Sequence, residues 1–306
     1  MISRVCIAGS GVIGSLLAGH LAQVADVSVL ARREEHARAL TEHGLTVTGR
    51  ADLHGAITAA TDAASLPAPD LVLVCCKGTD VDAVGARLEG HFPGAMVMTL
   101  QNGLGADELI GRHGDWPLLS AVTFMSGTRH SDTEVEYILD TATWIGPSRD
   151  TTGDDAREVA ELIRSSGLKA EGYDDLRPMQ WSKLIFNATV NGVAALTGLP
   201  HEPRFAQVAE PGDLGHLVRG LMDEGKAVAV ASGIGLAEDP WEMNVHATER
   251  GSRHYPSMLE DVEAHRPTEV ELINGSVIRA ASRAGVPVPL HETIYRLVKA
   301  KEASWE

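Results

Sequence analysis

The sequence predicts an α/β domain followed by an all-α domain. Three observations carry this. Apolar strand-like runs alternate with helical patterns from residue 4 to about residue 171. A glycine-rich turn joins the first strand to the first helix. From about residue 176 onward apolar residues recur at helical spacing, with no strand-rich stretch. Between them the chain turns polar at Gly172-Tyr173-Asp174-Asp175, which sets expected domains of 1–173 and 174–306.

Arg4-Val5-Cys6-Ile7-Ala8 has the pattern of a buried strand. Gly9-Ser10-Gly11-Val12-Ile13-Gly14 follows, then a helical run from Ser15 to Ala22, then a second strand, Val27-Ser28-Val29-Leu30. This is G-x-G-x-x-G between a strand and a helix of one βαβ unit, the setting in which it binds a dinucleotide in a Rossmann-type domain. Gly9 allows the tight turn, Gly11 lets the backbone approach a pyrophosphate, and Gly14 lets the helix pack close to the strand. The phosphates then meet the free N–H groups of a helix N-terminus. The second strand ends Leu30-Ala31-Arg32-Arg33, with guanidinium groups where an NAD site would carry an acid. Arginine offers a 2′-phosphate a planar fork of donors, so NADP(H) is the expected cofactor and Arg32, nearer the strand end, its expected contact. Glu34 and Glu35 then suit a helix first turn.

Further strands are expected at 45–47, 71–76, 95–100, 118–123, 134–139 and 142–145. The run 71–76 is continuously apolar, as in a central parallel strand. It leads into Lys77, and the next central strand leads into Gln101-Asn102-Gly103. Ligands of doubly wound sheets sit beyond such carboxyl ends, so Lys77 and Asn102 are expected to meet cofactor or substrate. An amphipathic helix is expected from Asp154 to Ser166, and an edge strand at 168–171.

In the second half, long helices are expected at 213–233, 268–284 and 289–302, punctuated by Gly233, Gly285 and Pro287. The segment Trp181 to Asn191 carries the most informative pattern. Lys183, Asn187 and Asn191 are spaced i, i+4, i+8 and share one face among Leu184, Ile185, Phe186 and Val190. A lysine and two carboxamides on an apolar helix are costly to bury without a role. They are what a site needs to deliver one proton and hold a small polar substrate.

Composition narrows the partners. A net charge of −16 over 306 residues disfavours nucleic acid and anionic membranes. No apolar run is long enough for a membrane span, and Met1-Ile2-Ser3-Arg4-Val5 enters a strand pattern without a leader-like segment. Cys6, Cys75 and Cys76 lie in apolar runs and form no C-x-x-C pair, as expected of reduced thiols in the cytoplasm. The 13 histidines form no metal-ligand cluster, so no metal site is expected.

The chain resembles the ketopantoate reductase (2-dehydropantoate 2-reductase) family along essentially its whole length. The resemblance rests on Gly9-x-Gly11-x-x-Gly14, Leu100-Gln101-Asn102-Gly103 and Trp181-x-Lys183-Leu184-x-x-Asn187-x-x-x-Asn191. It continues through Ser257-Met258-Leu259-x-Asp261, Thr268-Glu269-Val270-Glu271-x-Ile273-Asn274-Gly275 and Gly285-Val286-Pro287-x-Pro289. It implies NADPH-dependent reduction of ketopantoate to pantoate, a step of pantothenate synthesis. By the same resemblance Lys183 is the general acid, and Glu269 supports the lysine and the nicotinamide end. Asn102, Asn187, Asn191 and Ser257 are substrate and orientation contacts, and Arg32 and Lys77 are cofactor contacts. Where the family pattern has asparagine this chain carries His201, and His254 near the serine; both are expected beside the substrate. The alternatives are a reductase of this family acting on another 2-oxo acid or carbonyl, and a non-catalytic NADPH sensor. The expected partner is a small molecule, and the layout is compatible with a homodimer.

Overall fold

The computed structural model describes residues 2–207, 211–249 and 255–305. The chain divides into two compact units: Met1–Gln101 with Ala106–Leu176, and Asn102–Gly105 with Arg177–Glu306.

The first unit is α/β. Its elements run β1 (Arg4–Ala8), α1 (Val12–Leu21), β2 (Asp26–Leu30), α2 (Glu34–His43), β3 (Leu45–Gly49), β4 (Leu53–Gly55), β5 (Thr58–Ala60), β6 (Leu71–Val74), α3 (Val81–Leu88), β7 (Met96–Thr99), α4 (Ala106–Ile110), β8 (Leu118–Thr123), β9 (Ser126–Arg129), β10 (Glu134–Leu139), β11 (Thr143–Arg149), α5 (Gly153–Ser165) and β12 (Ala170–Gly172). Eight strands form one sheet in the order β12-β11-β8-β7-β6-β1-β2-β5. Pairing is parallel from β5 through β8, β11 runs antiparallel to β8, and β12 is parallel to β11. The strand Leu71–Val74 is buried at every position, because a central parallel strand is covered on both faces.

The apolar runs place these central strands well. A second sheet of four short strands, β4-β3-β10-β9, was not separable from sequence. Its members β4 and β9 are short and mostly polar or glycine-bearing, and they form by pairing with β3 and β10. Val47 of β3 and Val135 of β10 join Leu16, Leu17 and Leu21 of α1 in the common core.

The second unit is helical: α6 (Arg177–Thr197), α7 (Asp213–Ala231), α8 (Pro240–Glu249), α9 (Ser257–Glu263), α10 (Asn274–Ala284) and α11 (Pro289–Ala303). The core gathers Trp181, Leu184, Ile185, Ala188 and Val193 of α6 with Val218, Leu221 and Met222 of α7, Val277 and Ala281 of α10, and Ile294 and Val298 of α11. No helix among the described residues is long and apolar enough to cross a membrane.

Two departures from the sequence reading shape the site. Asn102–Gly105 belongs to the helical unit, although it follows β7 directly. Leu104 donates its N–H to the Leu272 carbonyl at 3.0 Å, and Ser276 Oγ donates to the Leu104 carbonyl at 3.0 Å. Gly103 sits at φ +89°, and a Cβ there would fall on the Leu272 carbonyl, so this close approach needs glycine. The expected helix at 268–284 starts only at Asn274. Glu302 ties down Thr268 through its N–H (2.8 Å) and hydroxyl (2.7 Å), and the Gly275 N–H reaches back five residues to the Val270 carbonyl at 2.9 Å. Glu269 therefore lies in a wide turn rather than on a helix face.

Candidate active site and dinucleotide-binding turn

The first unit holds the glycine turn. Gly9 leaves β1 at φ +107°, and a Cβ there would press on the Cys76 backbone nitrogen at 2.6 Å. A Cβ on Gly14 would fall on the Gly9 carbonyl oxygen, which is what tight helix–strand packing requires. Gly11 differs: a Cβ there would meet nothing within 4 Å among the described residues. The turn thus needs glycine at 9 and 14 for its own geometry, and at 11 it leaves an open approach to backbone. Residues 12–14 form the first turn of α1, which carries no acidic side chain to oppose an anion. The open backbone at Gly11 and the helix N-terminus beyond it fit a dinucleotide pyrophosphate.

At the end of β2, Arg32 and Arg33 part company. Arg33 grips Asp132 with one nitrogen at 2.7 and 2.8 Å from the two carboxylate oxygens. Arg32 is exposed and makes no side-chain hydrogen bond or ion pair among the described residues. Lys77 is exposed beyond the end of β6, where its carbonyl accepts the Asp80 N–H at 2.9 Å. Gln101 donates to the Val74 and Cys76 carbonyls at 2.8 and 2.9 Å, closing the end of β6. Its place in the Leu100–Gly103 turn was visible in the sequence; its role there was not.

The second unit gathers the polar residues of α6. Lys183 Nζ donates to Asn102 Oδ1 at 2.9 Å, and Asn187 Nδ2 donates to the same oxygen at 3.5 Å. Asn102 Nδ2 donates to Glu269 Oε2 at 3.1 Å. One carboxamide therefore joins the helix face to the 268–273 turn, and its orientation is fixed because its oxygen faces donors and its nitrogen faces a carboxylate. Burial pushes the Lys183 ammonium down to about 8, against the opposing pull of the Glu269 carboxylate. Leu184, Ile185 and Ala188 of the same helix turn instead into the helical core.

One turn further along, Asn191 is buried and its Oδ1 accepts the Met258 N–H at 3.4 Å. This ties α6 to the start of α9, where the neighbouring Ser257 is exposed. The i, i+4, i+8 face thus brings together Lys183 and Asn187 with Asn102 and Glu269, and sets Asn191 beside Ser257 through Met258. His201 lies in the helical core. Its Nε2 is 2.8 Å from Asn244 Oδ1, and its ring meets Phe186 and Phe205 edge-on at 5.8 and 5.3 Å. Asn244, fully buried, also donates to the Phe205 carbonyl at 2.8 Å. It sits on α8 without a polar pattern around it, so no sequence signal singled it out. His254 lies outside the described residues.

A half-buried amine at a lowered pKa, aimed at a carboxamide and facing a carboxylate, can donate a proton to an oxygen that gains charge. Residues 5–150 match the family model described as Ketopantoate reductase PanE/ApbA, and residues 175–302 match Ketopantoate reductase PanE/ApbA C terminal. The chain is 28% identical over 302 residues to the 2-dehydropantoate 2-reductase of Pyrococcus horikoshii, covering 98% of each chain. Among solved structures it resembles a PanE/ApbA family ketopantoate reductase from Ralstonia eutropha, at TM-score 0.86 and 26% identity over 98% of this chain and 99% of that one. It is equally similar to a 2-dehydropantoate 2-reductase from Geobacter metallireducens, at TM-score 0.86 and 27% identity over 97% and 99% of the two chains. The chain is an oxidoreductase and belongs to the ketopantoate reductase family.

Proposed function

We propose that this enzyme reduces 2-dehydropantoate to pantoate with NADPH in the cytoplasm, and that Lys183 is the general acid. The observation that carries the reading is the Lys183–Asn102–Glu269 arrangement, with the ammonium held 2.9 Å from the Asn102 oxygen and lowered by burial to about 8. The name shared by the curated relatives supports the substrate, and the exposed Arg32 at the end of β2 supports the 2′-phosphate.

When bound, the cofactor supplies the hydride that the ketone carbon accepts. The chain's own residues do the rest. As the carbonyl oxygen gains negative charge, the Lys183 ammonium stabilises it and then transfers one proton from Nζ to form the hydroxyl. Asn102 holds the amine in register, and Glu269 keeps its charged form populated against the cost of burial. Asn187 and Asn191 offer neutral carboxamides for the substrate's polar groups, and Ser257 an exposed hydroxyl beside them.

The test is NADPH oxidation with a panel of 2-oxo acids. 2-Dehydropantoate should have the highest kcat/KM. A different acid clearly ahead of it would move the enzyme to another substrate of the same chemistry, and NADPH binding with no turnover of any acid would leave a sensor.

A further inference from the structure

The end of β9 and the loop joining it to β10 lie at the second, four-stranded sheet, yet their residues reach the glycine turn and the start of α2. Arg129 Nη1 donates to the Ser10 carbonyl at 3.3 Å and lies 3.8 Å from Asp132 Oδ1. Asp132 takes Arg33 on both carboxylate oxygens, at 2.7 and 2.8 Å. Its backbone carbonyl lies 3.0 Å from His36 Nε2. A carbonyl only accepts, so Nε2 carries the hydrogen. Burial lowers the His36 pKa and favours the neutral ring, whose Nδ1 then accepts from the Ser10 hydroxyl at 3.4 Å. Ser10, Arg33, His36, Arg129 and Asp132 form one cluster beside the turn and the end of β2, where a dinucleotide's ribose and 2′-substituent belong.

Within that cluster the basic side chains are not equivalent. Two guanidinium groups face the single carboxylate of Asp132. A third, Arg32, adjoins the cluster in sequence and stands exposed, with no side-chain hydrogen bond or ion pair among the described residues. We propose that Asp132 is a specificity-determining residue: it sequesters Arg33, restrains Arg129, and leaves Arg32 as the guanidinium that meets the 2′-phosphate of NADPH. This rests on the NADPH reading above. Asp132 limits the affinity for the phosphate as well as directing it, since its carboxylate neutralises a cation that could otherwise turn toward the same dianion. Substituting asparagine keeps the backbone carbonyl that anchors His36 and the shape of the side chain, and removes the charge that fixes Arg33.

The experiment measures dissociation constants for NADPH and NADH, by cofactor fluorescence without substrate, in the wild type, Arg32→Ala, Arg33→Ala, Asp132→Asn and the Asp132→Asn/Arg33→Ala double variant. Arg32→Ala should weaken NADPH about tenfold or more and leave NADH within about twofold. Arg33→Ala alone should change neither by more than about twofold. Asp132→Asn should tighten NADPH about threefold with NADH unchanged, and adding Arg33→Ala should remove the gain. A merely structural role for Asp132 would weaken both cofactors together. Arg33→Ala costing NADPH as much as Arg32→Ala, or Asp132→Asn leaving NADPH unchanged or weaker, would overturn the proposal while leaving the NADPH reading intact. A wild type that binds NADH as tightly as NADPH would overturn both.

Discussion

The glycine turn of the first unit and the lysine site of the second are built from opposite materials. The turn is made of backbone and of missing side chains: Gly9 and Gly14 satisfy the fold, and Gly11 leaves open space. The lysine site is made of side chains whose charge and hydrogen bonds set one another, with Asn102 bonded to Lys183, Asn187 and Glu269. A backbone site fails when a single atom is added. A side-chain site fails by degrees, according to which group is removed.

The largest effect should follow loss of the proposed proton donor. We expect Lys183→Ala to lower kcat for 2-dehydropantoate reduction by about 10³-fold, within the range that general acids contribute, while the NADPH dissociation constant stays within about twofold. Steady-state kinetics beside a fluorescence titration measures both. Wild-type turnover in this variant would remove Lys183 from the chemistry and make its site an ordinary buried cluster.

Gly11→Ala tests the other side of the comparison. A Cβ there meets nothing within 4 Å among the described residues, so the apo protein should melt within about 1 °C of the wild type, yet NADPH binding should fall about 100-fold as the methyl fills the approach to the pyrophosphate. Gly14→Ala should instead lower the melting temperature of the apo protein, because its Cβ would fall on the Gly9 carbonyl. Equal stability losses in the two variants would mean that both glycines serve packing alone.

A smaller effect is expected at Asn102. Asn102→Ala removes the group that bridges Lys183 and Glu269, and we expect kcat to fall about 10- to 100-fold with NADPH affinity little changed. A loss confined to KM would make Asn102 a substrate contact only.

The same contrast explains what was legible in the sequence. G-x-G-x-x-G is local, so its strand, turn and helix could be recognised from spacing within the 19 residues from Arg4 to Ala22. The Lys183, Asn187, Asn191 stripe was legible for the same reason, since one helix face has a fixed period. Asn102 was marked by its place at a strand end, but its bond to Lys183 spans 81 residues and depends on Gly103 admitting the Leu272 carbonyl. The late start of α10 was hidden because Glu302, on another helix, holds Thr268. The four-stranded sheet was hidden because β4 and β9 are too short and too polar to carry a period of two. The role proposed for Asp132 was invisible: an aspartate in a turn between strands has an ordinary sequence reason to be there.

The finest effect is on proton affinity at Lys183. If Lys183 is the proposed general acid, kcat/KM should fall as pH rises through the lysine's pKa, held by burial to about 8. Glu269 raises that pKa, so Glu269→Gln should move the falling limb to lower pH. The decisive measurement is the pH profile of kcat/KM from pH 6 to 10 in the wild type and Glu269→Gln, each with NADPH and 2-dehydropantoate. We expect a wild-type midpoint near 8 and a lower one in the variant. A wild-type profile flat across this range, or a limb that moves upward in Glu269→Gln, would contradict proton donation by a half-buried lysine that Glu269 keeps charged.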